Sequence, residues 1–493
     1  MRRWLWSRCG YRKPVEEVLR SANDVPGELG LRRVLGPLDL MLVGVGVIVG
    51  GGIFVVIGTA AALYAGPAIV LSFLLAGLAC ALTGLCYAEL AAMMPVSGSA
   101  YTYAYAAFGE VVAWIVGWNL LLEYTFAASY VSVGWSGYLV SLLTGWGVRI
   151  PMQFDTAPLQ VDASGIVYTG AWVNAPAAAF ALIMALIAAR GVRLSSVVNG
   201  AIVVLKVSAL LLVIGFGAGY IRPSNWVPFL PPNDGTFGHF GISGVLRGSA
   251  VVFVSYLGFD AIAALAQDTR RPQRDLPVGI LGSLLLATIL YVAASLVLTG
   301  LAPYGTLNTA SPISTALLAG GTALQWLAPI VDVAAIIGLG SVVLVIMLAQ
   351  PRILLAMGRD RLVPAAFARL HPRYRTPLWG TAVCGASVAA LAGLFPLGIL
   401  VQLVSIGTLT VFITVSAGVL IMRSTQPERP RPFRTPLVPA IPVLGILVGA
   451  YLLGGIPAPT WWLYAVWTTA GVAVYLVYGR ASAASQRAIR GST

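Results

Sequence analysis

The sequence predicts an all-α polytopic membrane protein with twelve transmembrane helices. Mean hydropathy is +0.88 and only 10% of the 493 residues are charged, whereas soluble globular domains carry about 25% charged residues. Apolar stretches near or above the roughly 20 residues that cross a bilayer recur along the chain. Their approximate ranges are 38–64, 68–94, 110–144, 173–189, 196–220, 242–266, 277–301, 323–356, 378–396, 398–422, 436–455 and 460–479.

Positive charge is distributed unevenly between the connections. If the N-terminus is cytoplasmic, all but four of the 30 lysines and arginines lie on the cytoplasmic side. The exceptions are Arg149 and Arg222 in external loops, and Lys206 and Arg247 within spans. This bias follows the positive-inside rule. It predicts that both termini are cytoplasmic, and it argues that the net charge of +13 serves membrane topology rather than a nucleic-acid partner.

The residues that usually carry metal or redox chemistry are sparse. The four cysteines show no metal or disulfide spacing, and the only two histidines, His239 and His371, lie in predicted loops. We therefore expect no metal site and no cofactor, and we do not expect an enzyme. Residues 1–37 and 481–493 are expected to form a cytoplasmic arm and a cytoplasmic tail. The longest external connection, 145–172, shows no regular pattern.

Five glycines interrupt the first span between Gly44 and Phe54. Glycine weakens a helix, and unpaired backbone at mid-membrane depth is tolerated only inside protein or beside a water-filled cavity. The sixth span also carries a glycine, Gly258, near its middle, and the third and eighth spans are the longest. Matching span 1 with 6 and span 3 with 8 indicates an inverted repeat of five spans. In secondary transporters such broken helices form the substrate site.

Three ionisable residues lie deep within spans, where such groups are expensive unless functional. Lys206 is near the centre of span 5 and cannot readily reach the surface, and desolvation disfavours its charged form. It is either a proton-coupling residue or a permanent ammonium that bonds carbonyls at the break in span 1. Glu123 of span 3 either pairs with Lys206, binds a substrate ammonium, contributes to coupling, or bonds within the bundle. Asp260 either contacts substrate or braces the second half of span 6.

The break itself offers backbone ligands. The N-terminus of a half-helix presents N–H groups that suit a carboxylate, and carbonyls freed at the break suit an ammonium group. The sequence therefore predicts a site for an α-amino acid in which the backbone binds both charged ends. Glu89, near the cytoplasmic end of span 2, is expected to pair with a cytoplasmic arginine.

Ordered motifs from about residue 28 to residue 480 resemble the amino acid–polyamine–organocation superfamily, closest to the cationic amino acid transporter family and its bacterial members. The motifs are G-V-I-V-G-G-G-I-F (46–54), E-L-A-A-M-M-P-V-S-G-S-A-Y-T-Y (89–103), G-W-N-L-L-L-E-Y (117–124), S-Y-L-G-F-D-A-I (255–262), T-R-R-P-Q-R-D-L-P-V-G-I (269–280), P-R-I-L-L-A-M-G-R-D-R-L (351–362), S-I-G-T-L (405–409) and R-P-F-R-T-P-L-V-P (431–439).

This resemblance implies a LeuT-like fold with two inverted repeats, 38–220 and 221–422, followed by two further spans in 423–480. It places the substrate carboxylate at the amides of Gly51 and Gly52, and it places Lys206 where related transporters bind sodium, which favours proton coupling. The resemblance also implies the rest of the site. The substrate ammonium meets the carbonyls of Ile48, Val254, Ser255 and Leu257; Gly50, Gly258 and Glu123 complete the substrate-binding set; and Phe253, Tyr256, Asp260, Gly340 and Ser341 are candidates to line the pocket.

The sequence as a whole predicts a secondary active transporter that imports α-amino acids, cationic or small neutral, across the plasma membrane of a bacterium. Proton symport with alternating access is the expected mechanism, and the expected partners are an amino acid, protons and membrane lipid. An exchanger of amino acids or polyamines without net proton coupling is the alternative within the same class. A non-transporting membrane receptor that senses amino acids is the alternative from another class. The sequence leaves an accessory subunit undetermined.

Overall fold

The computed structural model describes residues 35–94, 99–162, 165–191, 196–264 and 269–479. The predicted cytoplasmic arm lies outside these residues except for its last three, and the predicted tail 481–493 lies wholly outside them. The described part of the chain is largely helical, and its two β-strands form one antiparallel hairpin.

The α-helices in chain order are α1 (Pro37–Ile48), α2 (Ile57–Ala60), α3 (Ile69–Met93), α4 (Ser99–Ala107), α5 (Glu110–Gly145), α6 (Met152–Asp155), α7 (Ala175–Ala189), α8 (Ser196–Gly217), α9 (Gly241–Val252), α10 (Phe259–Ala264), α11 (Pro272–Leu301), α12 (Pro312–Ala319), α13 (Leu327–Arg359), α14 (Leu378–Leu394), α15 (Leu397–Thr425), α16 (Ala440–Gly454) and α17 (Ala458–Val474). Short π-helical turns lie at Gly52–Val56, Ala61–Ala65 and Tyr475–Gly479, and 3-10 turns at Gly66–Ala68, Ala218–Tyr220, Pro223–Trp226, Phe253–Tyr256, Tyr304–Leu307, Thr322–Leu324 and Ala365–Ala368.

Within the described ranges, seven helical segments have the length and apolar composition of a membrane span. They are Pro37–Met93, Glu110–Gly145, Val198–Tyr220, Arg274–Leu301, Leu327–Arg359, Leu397–Thr425 and Ala458–Gly479. Four shorter helical segments of 10–17 residues are also apolar: Ala175–Ala189, Gly241–Tyr256, Leu378–Leu394 and Ala440–Gly454. The first long segment is divided at Gly66, whose φ of 58° suits glycine, so the stretches predicted at 38–64 and 68–94 are separate elements.

The two longest helices, α5 and α13, pack against each other at the centre of the bundle. Helix α5 also packs on α15, while α11 packs on α1 and α3. The interrupted segments, α1 with its π-helical continuation and α9 with α10, lie among these long helices and are mostly buried. Leucines on the outer faces of α3 and α7 are exposed, and such an apolar outer surface is what a lipid environment requires.

A buried carboxylate joins three segments at one end of the bundle. Glu89 of α3 forms a two-point ion pair with Arg423 of α15, with N···O distances of 2.7 and 3.0 Å. The backbone N–H of Thr435, ahead of α16, donates to the same carboxylate at 2.7 Å. Glu89 is only 1% exposed. The predicted ion pair between Glu89 and an arginine is thus confirmed, and it ties α3, α15 and the following connection together.

The connection 145–172 is more ordered than its sequence indicates. Strands β1 (Leu159–Asp162) and β2 (Gly165–Tyr168) form an antiparallel hairpin with Leu159 opposite Tyr168. The expectation of an irregular loop is therefore wrong. Each strand has only four residues. A run of that length is at the lower limit at which alternation of apolar and polar residues can be recognised.

Candidate functional site

The first helix break lies at the glycines that the sequence singled out. Helix α1 ends at Ile48, and Val49 then turns to an extended conformation with φ −72° and ψ 93°. The helix resumes after Gly51 as the π-helical turn Gly52–Val56. The first N–H groups of a helix and the last carbonyls of the preceding one have no partner in their own helix. The break therefore places backbone donors and acceptors next to each other inside the bundle.

The second break separates α9 from α10. A 3-10 turn, Phe253–Tyr256, is followed by extended Leu257 and by Gly258, whose φ is 107°. A side chain at Gly258 would overlap Val47 of α1, so this position requires glycine both for its conformation and for the close approach of the two segments. Leu257 and Gly258 are partly accessible, although the residues around them are buried.

The two breaks contact each other directly. A Cβ atom at Gly52 would overlap Ser255, so the opening turn of the second half of the first span lies against the 3-10 turn. The Tyr291 hydroxyl of α11 lies 2.8 Å from the carbonyl oxygens of both Ile48 and Ser255. This tyrosine is fully buried. Its hydroxyl joins the last residue of α1 to the 3-10 turn that follows α9.

The sequence assigned the carbonyls of Ile48, Val254 and Ser255 to a substrate ammonium. In this structure the Ile48 and Ser255 carbonyls lie within hydrogen-bond distance of Tyr291, and the Val254 carbonyl accepts from the Leu257 N–H at 3.2 Å. A carbonyl oxygen has two lone pairs, so each keeps acceptor capacity. Sequence reasoning missed Tyr291 because a single tyrosine in an apolar span gives no signal of its location.

Side chains from α5 and α13 close the first break. A Cβ atom at Gly51 would lie 2.6 Å from Cε2 of Tyr130 and 3.1 Å from its hydroxyl oxygen. Val131 lies equally close to Gly51, and Val342 of α13 lies against Gly50. The neighbouring side chains that lie closest to Gly50 and Gly51 therefore include one phenol and two valines. Sequence reasoning did not select any of these three residues.

Lys206 of α8 binds the end of α1. Its Nζ donates to the Gly46 carbonyl, one of the last carbonyls of that helix. The side chain is 1% exposed, and a Cβ atom at Gly338 of α13 would lie 3.3 Å from its Cδ. The C-terminus of a helix carries partial negative charge that favours a cation. In the described part of the chain no carboxylate pairs with Lys206, so the pairing with Glu123 considered above is not found.

Glu123 and Asp260 instead lie near each other. Both are buried and close enough to interact electrostatically. Tyr124 hydrogen-bonds Asp260, and Thr408 of α15 reaches Glu123. Among the described residues, Oε2 of Glu123 has no hydrogen-bond partner. These two acids form a polar cluster where α5 and α10 meet, apart from Lys206.

The other residues predicted to line the pocket contact neighbouring helices. Phe253 is buried edge-on against Phe412 with ring centroids 5.3 Å apart. The Tyr256 hydroxyl donates to the Phe73 carbonyl of α3 at 2.8 Å. A Cβ atom at Gly340 would approach Phe180 of α7.

Ser341 of α13 donates to the Gly338 carbonyl at 2.8 Å, one turn earlier in its own helix. Among the described residues, no group of three or more His, Cys, Asp or Glu side chains is arranged to hold a metal ion.

The family model for amino acid permeases matches residues 35–478. This chain belongs to the amino acid permease family. The methylthioribose transporter of Bacillus subtilis (strain 168) is 41% identical over 469 residues, which is 95% of this chain and 97% of that protein. The branched-chain amino acid permease BcaP of the same organism is 40% identical over 470 residues, with the same coverage of each chain. The vacuolar cationic amino acid transporter 4 of Arabidopsis thaliana is 40% identical over 417 residues, or 85% of this chain and 67% of that protein.

These relatives are permeases and transporters, so this permease is an integral membrane transport protein and not an enzyme. The resemblance derived from the sequence motifs is thereby confirmed at the level of the family. The relatives include proteins named for branched-chain amino acids, for cationic amino acids and for methylthioribose.

Proposed function

We propose that this permease imports an α-amino acid that binds between the two helix breaks and moves by alternating access. The observation that carries the proposal is the juxtaposition of opposite helix ends. The N–H groups that open the turn at Gly52 lie beside the carbonyl ends at Ile48 and Ser255. A half-helix N-terminus attracts a carboxylate, and a carbonyl end attracts an ammonium group. An α-amino acid carries these two groups on adjacent atoms.

The proposed architecture is twelve spans with an inverted repeat of five, residues 38–220 and 221–422. Its support is that the breaks fall in the first and sixth predicted spans, while the longest helices, α5 and α13, correspond to the third and eighth. Both termini are proposed to lie in the cytoplasm, supported by the charge distribution. The bacterial relatives support a plasma-membrane location.

The substrate side chain is proposed to be neutral and aliphatic. The side chains that approach Gly50 and Gly51 from neighbouring helices include Val131 and Val342. Apolar side chains around the break favour an apolar substrate side chain. The relative BcaP, which aligns over 97% of its length, is named for branched-chain amino acids. A cationic side chain is the second candidate, favoured by the unpartnered oxygen of Glu123.

Proton coupling is proposed to act through Lys206. A protonated Lys206 stabilises the C-terminal end of α1, where it bonds Gly46. Loss of the proton removes that charge interaction and frees α1 to change position. An exchanger without net proton coupling would use the same lysine as a fixed structural charge.

Uptake into proteoliposomes tests the proposal. Labelled leucine, alanine, arginine and methylthioribose are offered to empty and to amino-acid-loaded vesicles, with and without an inward proton gradient. We expect gradient-stimulated uptake of leucine into empty vesicles, and loss of the stimulation in Lys206→Met. Uptake that requires internal amino acid would identify an exchanger. Binding of leucine without any flux would identify a receptor, and uptake of methylthioribose alone would overturn the amino-acid assignment.

A further inference from the structure

A buried carboxylate lies near the start of α13. Asp332 is 2% exposed and lies five residues after Leu327, the first residue of this helix, which is about 8 Å along the helix axis. In the proposed orientation α13 begins at the external face, so Asp332 lies in the outer part of its span. An ionisable side chain within a membrane span is costly and is therefore a candidate for function. The proposed substrate site lies at the two breaks and does not include this residue.

Two serine hydroxyls bind this carboxylate from two different helices. Ser141 of α5 donates to Oδ2 of Asp332 at 2.9 Å, and Ser314 of α12 donates to Oδ1. Among the described residues, no lysine, arginine or histidine pairs with Asp332. Its ionised form therefore has only neutral donors, and a buried charge without a counter-charge is strongly disfavoured. Such a carboxyl group can bind a proton without the loss of an ion pair.

Helix α12, which carries one of these serines, packs on the outer half of the first span. A Cβ atom at Gly58 of α2 would overlap the Leu307 carbonyl oxygen and the side chain of Pro312, the first residue of α12. The same helix contacts the π-helical turn Gly52–Val56 that follows the first break. The bond from Ser314 to Asp332 therefore fastens to α13 a helix that lies against the segment between the substrate site and the external face.

The other ionisable groups that neighbouring elements present near this end of α13 are two tyrosines and a lysine. Tyr138 of α5 interacts electrostatically with Asp332, and Tyr304 lies in the 3-10 turn ahead of α12. Lys206 of α8 reaches Gly338, which is six residues or about 9 Å further along α13. A tyrosine is ordinarily neutral below about pH 10. Asp332 is therefore the acid whose charge can change beside α12.

We propose that Asp332 is an outer proton-binding site whose ionised form holds α12 against the first span and whose protonation loosens α12. The inference rests on the proposed function, in which a proton and an amino acid enter from outside. Hydrogen bonds to an ionised carboxylate are roughly twice as strong as neutral ones. When the carboxyl group binds a proton, its bonds to Ser141 and Ser314 become neutral, and the protonated oxygen becomes a donor. External acid therefore favours opening on the outer side, whereas Lys206 acts at the inner end of the break.

Amide hydrogen exchange of α12 in the full-length protein in detergent tests the proposal without any substrate. Protection factors, which remove the intrinsic effect of pH on exchange, are compared at about pH 5 and about pH 8. We expect the protection of α12 in the wild-type protein to fall about fivefold at the lower pH, the order of magnitude for a charge-assisted bond that becomes neutral. In Asp332→Asn, protection should be low at both pH values.

The matched control is Thr315→Val, which removes the neighbouring hydroxyl of α12. That hydroxyl bonds Thr309 and Ser311 and not Asp332, so the wild-type pH response should remain. Protection of α12 that is independent of pH in the wild-type protein, or a response that persists in Asp332→Asn, would overturn the proton site. If Asp332→Asn does not accumulate, Ser314→Ala decides: loss of the response supports the site and a wild-type response overturns it. A wild-type protein with the pH response but without amino-acid uptake would support the outer proton site and refute the proposed function.

Discussion

Replacing Tyr291 by phenylalanine removes the one hydroxyl that joins the two helix breaks. That oxygen lies 2.8 Å from the carbonyls of Ile48 and Ser255, and the residue is fully buried. Its loss removes the single hydrogen that the two buried carbonyls share, and an unsatisfied buried polar group costs about 1–3 kcal/mol. We expect the free energy of unfolding to fall by about that amount. We expect KM to rise by a factor of about 5 to 150, which corresponds to the same energy. The reason is that the hydroxyl fixes the carbonyls that are proposed to face the substrate.

The matched control is Tyr256→Phe. Tyr256 is also fully buried and also donates to one backbone carbonyl, that of Phe73, at 2.8 Å. Tyr256 lies in the 3-10 turn of the second break, but its hydroxyl bonds to α3 and not to the Ile48 or Ser255 carbonyl. The variant should therefore lose stability while its KM stays near the wild-type value. Thermal unfolding in detergent with and without leucine, together with leucine KM in proteoliposomes, measures both effects.

The reasoning about Tyr291 is refuted if the two variants have the same KM. In that case the Tyr291 hydroxyl would stabilise the bundle, as the Tyr256 hydroxyl does, without fixing the substrate site. A larger KM for Tyr256→Phe than for Tyr291→Phe would place the substrate on the α3 side of the second break, as the sequence-based candidacy of Tyr256 as a pocket residue implies.

Three further substitutions test other parts of the structure. Lys206→Met should abolish the response of leucine uptake to a proton gradient while leucine counterflow continues; equal loss of both activities would contradict a coupling role. Gly258→Ala should lower both the yield of folded protein and leucine binding, because the new Cβ would overlap Val47 at a φ of 107°; normal binding by calorimetry would show that the break is not tightly packed. Glu89→Gln should lower the free energy of unfolding by about 2 kcal/mol, since it weakens a charge-assisted pair with Arg423, and should leave leucine KM unchanged.

The positions of both breaks could be predicted from the sequence because glycine acts locally. A run such as Gly50 to Gly52 weakens a helix wherever it is placed, and in an apolar span it has few uses other than a break or a close contact. The ion pair of Glu89 was predictable for a similar reason, since a carboxylate in a span requires a cationic partner. In each case the cost of the residue in lipid limits its roles before any tertiary contact is known.

The side chains around the breaks could not be predicted in the same way. Tyr291 and Tyr256 are both single tyrosines in apolar spans, yet one joins the breaks and the other bonds to α3. Gly340 is a small residue in α13, as a pocket would require, yet it faces Phe180 of α7. What distinguishes these residues is the rotation of each helix about its axis, which depends on packing across the whole bundle. Nearly uniform hydrophobicity around a buried helix hides that rotation in the sequence.

The end of α1 is held by two side chains from neighbouring helices. Two of its last carbonyls accept hydrogen bonds from side chains of other helices. Lys206 of α8 donates to Gly46, and Tyr291 of α11 donates to Ile48. If alternating access moves α1, both bonds must break or move with it, and one of them belongs to a group that can lose its charge. A substrate whose ammonium binds at the same helix end competes for the same partial negative charge. Proton and substrate would then act on one helix terminus, and such a shared two-state element is what thermodynamic coupling between two ligands requires.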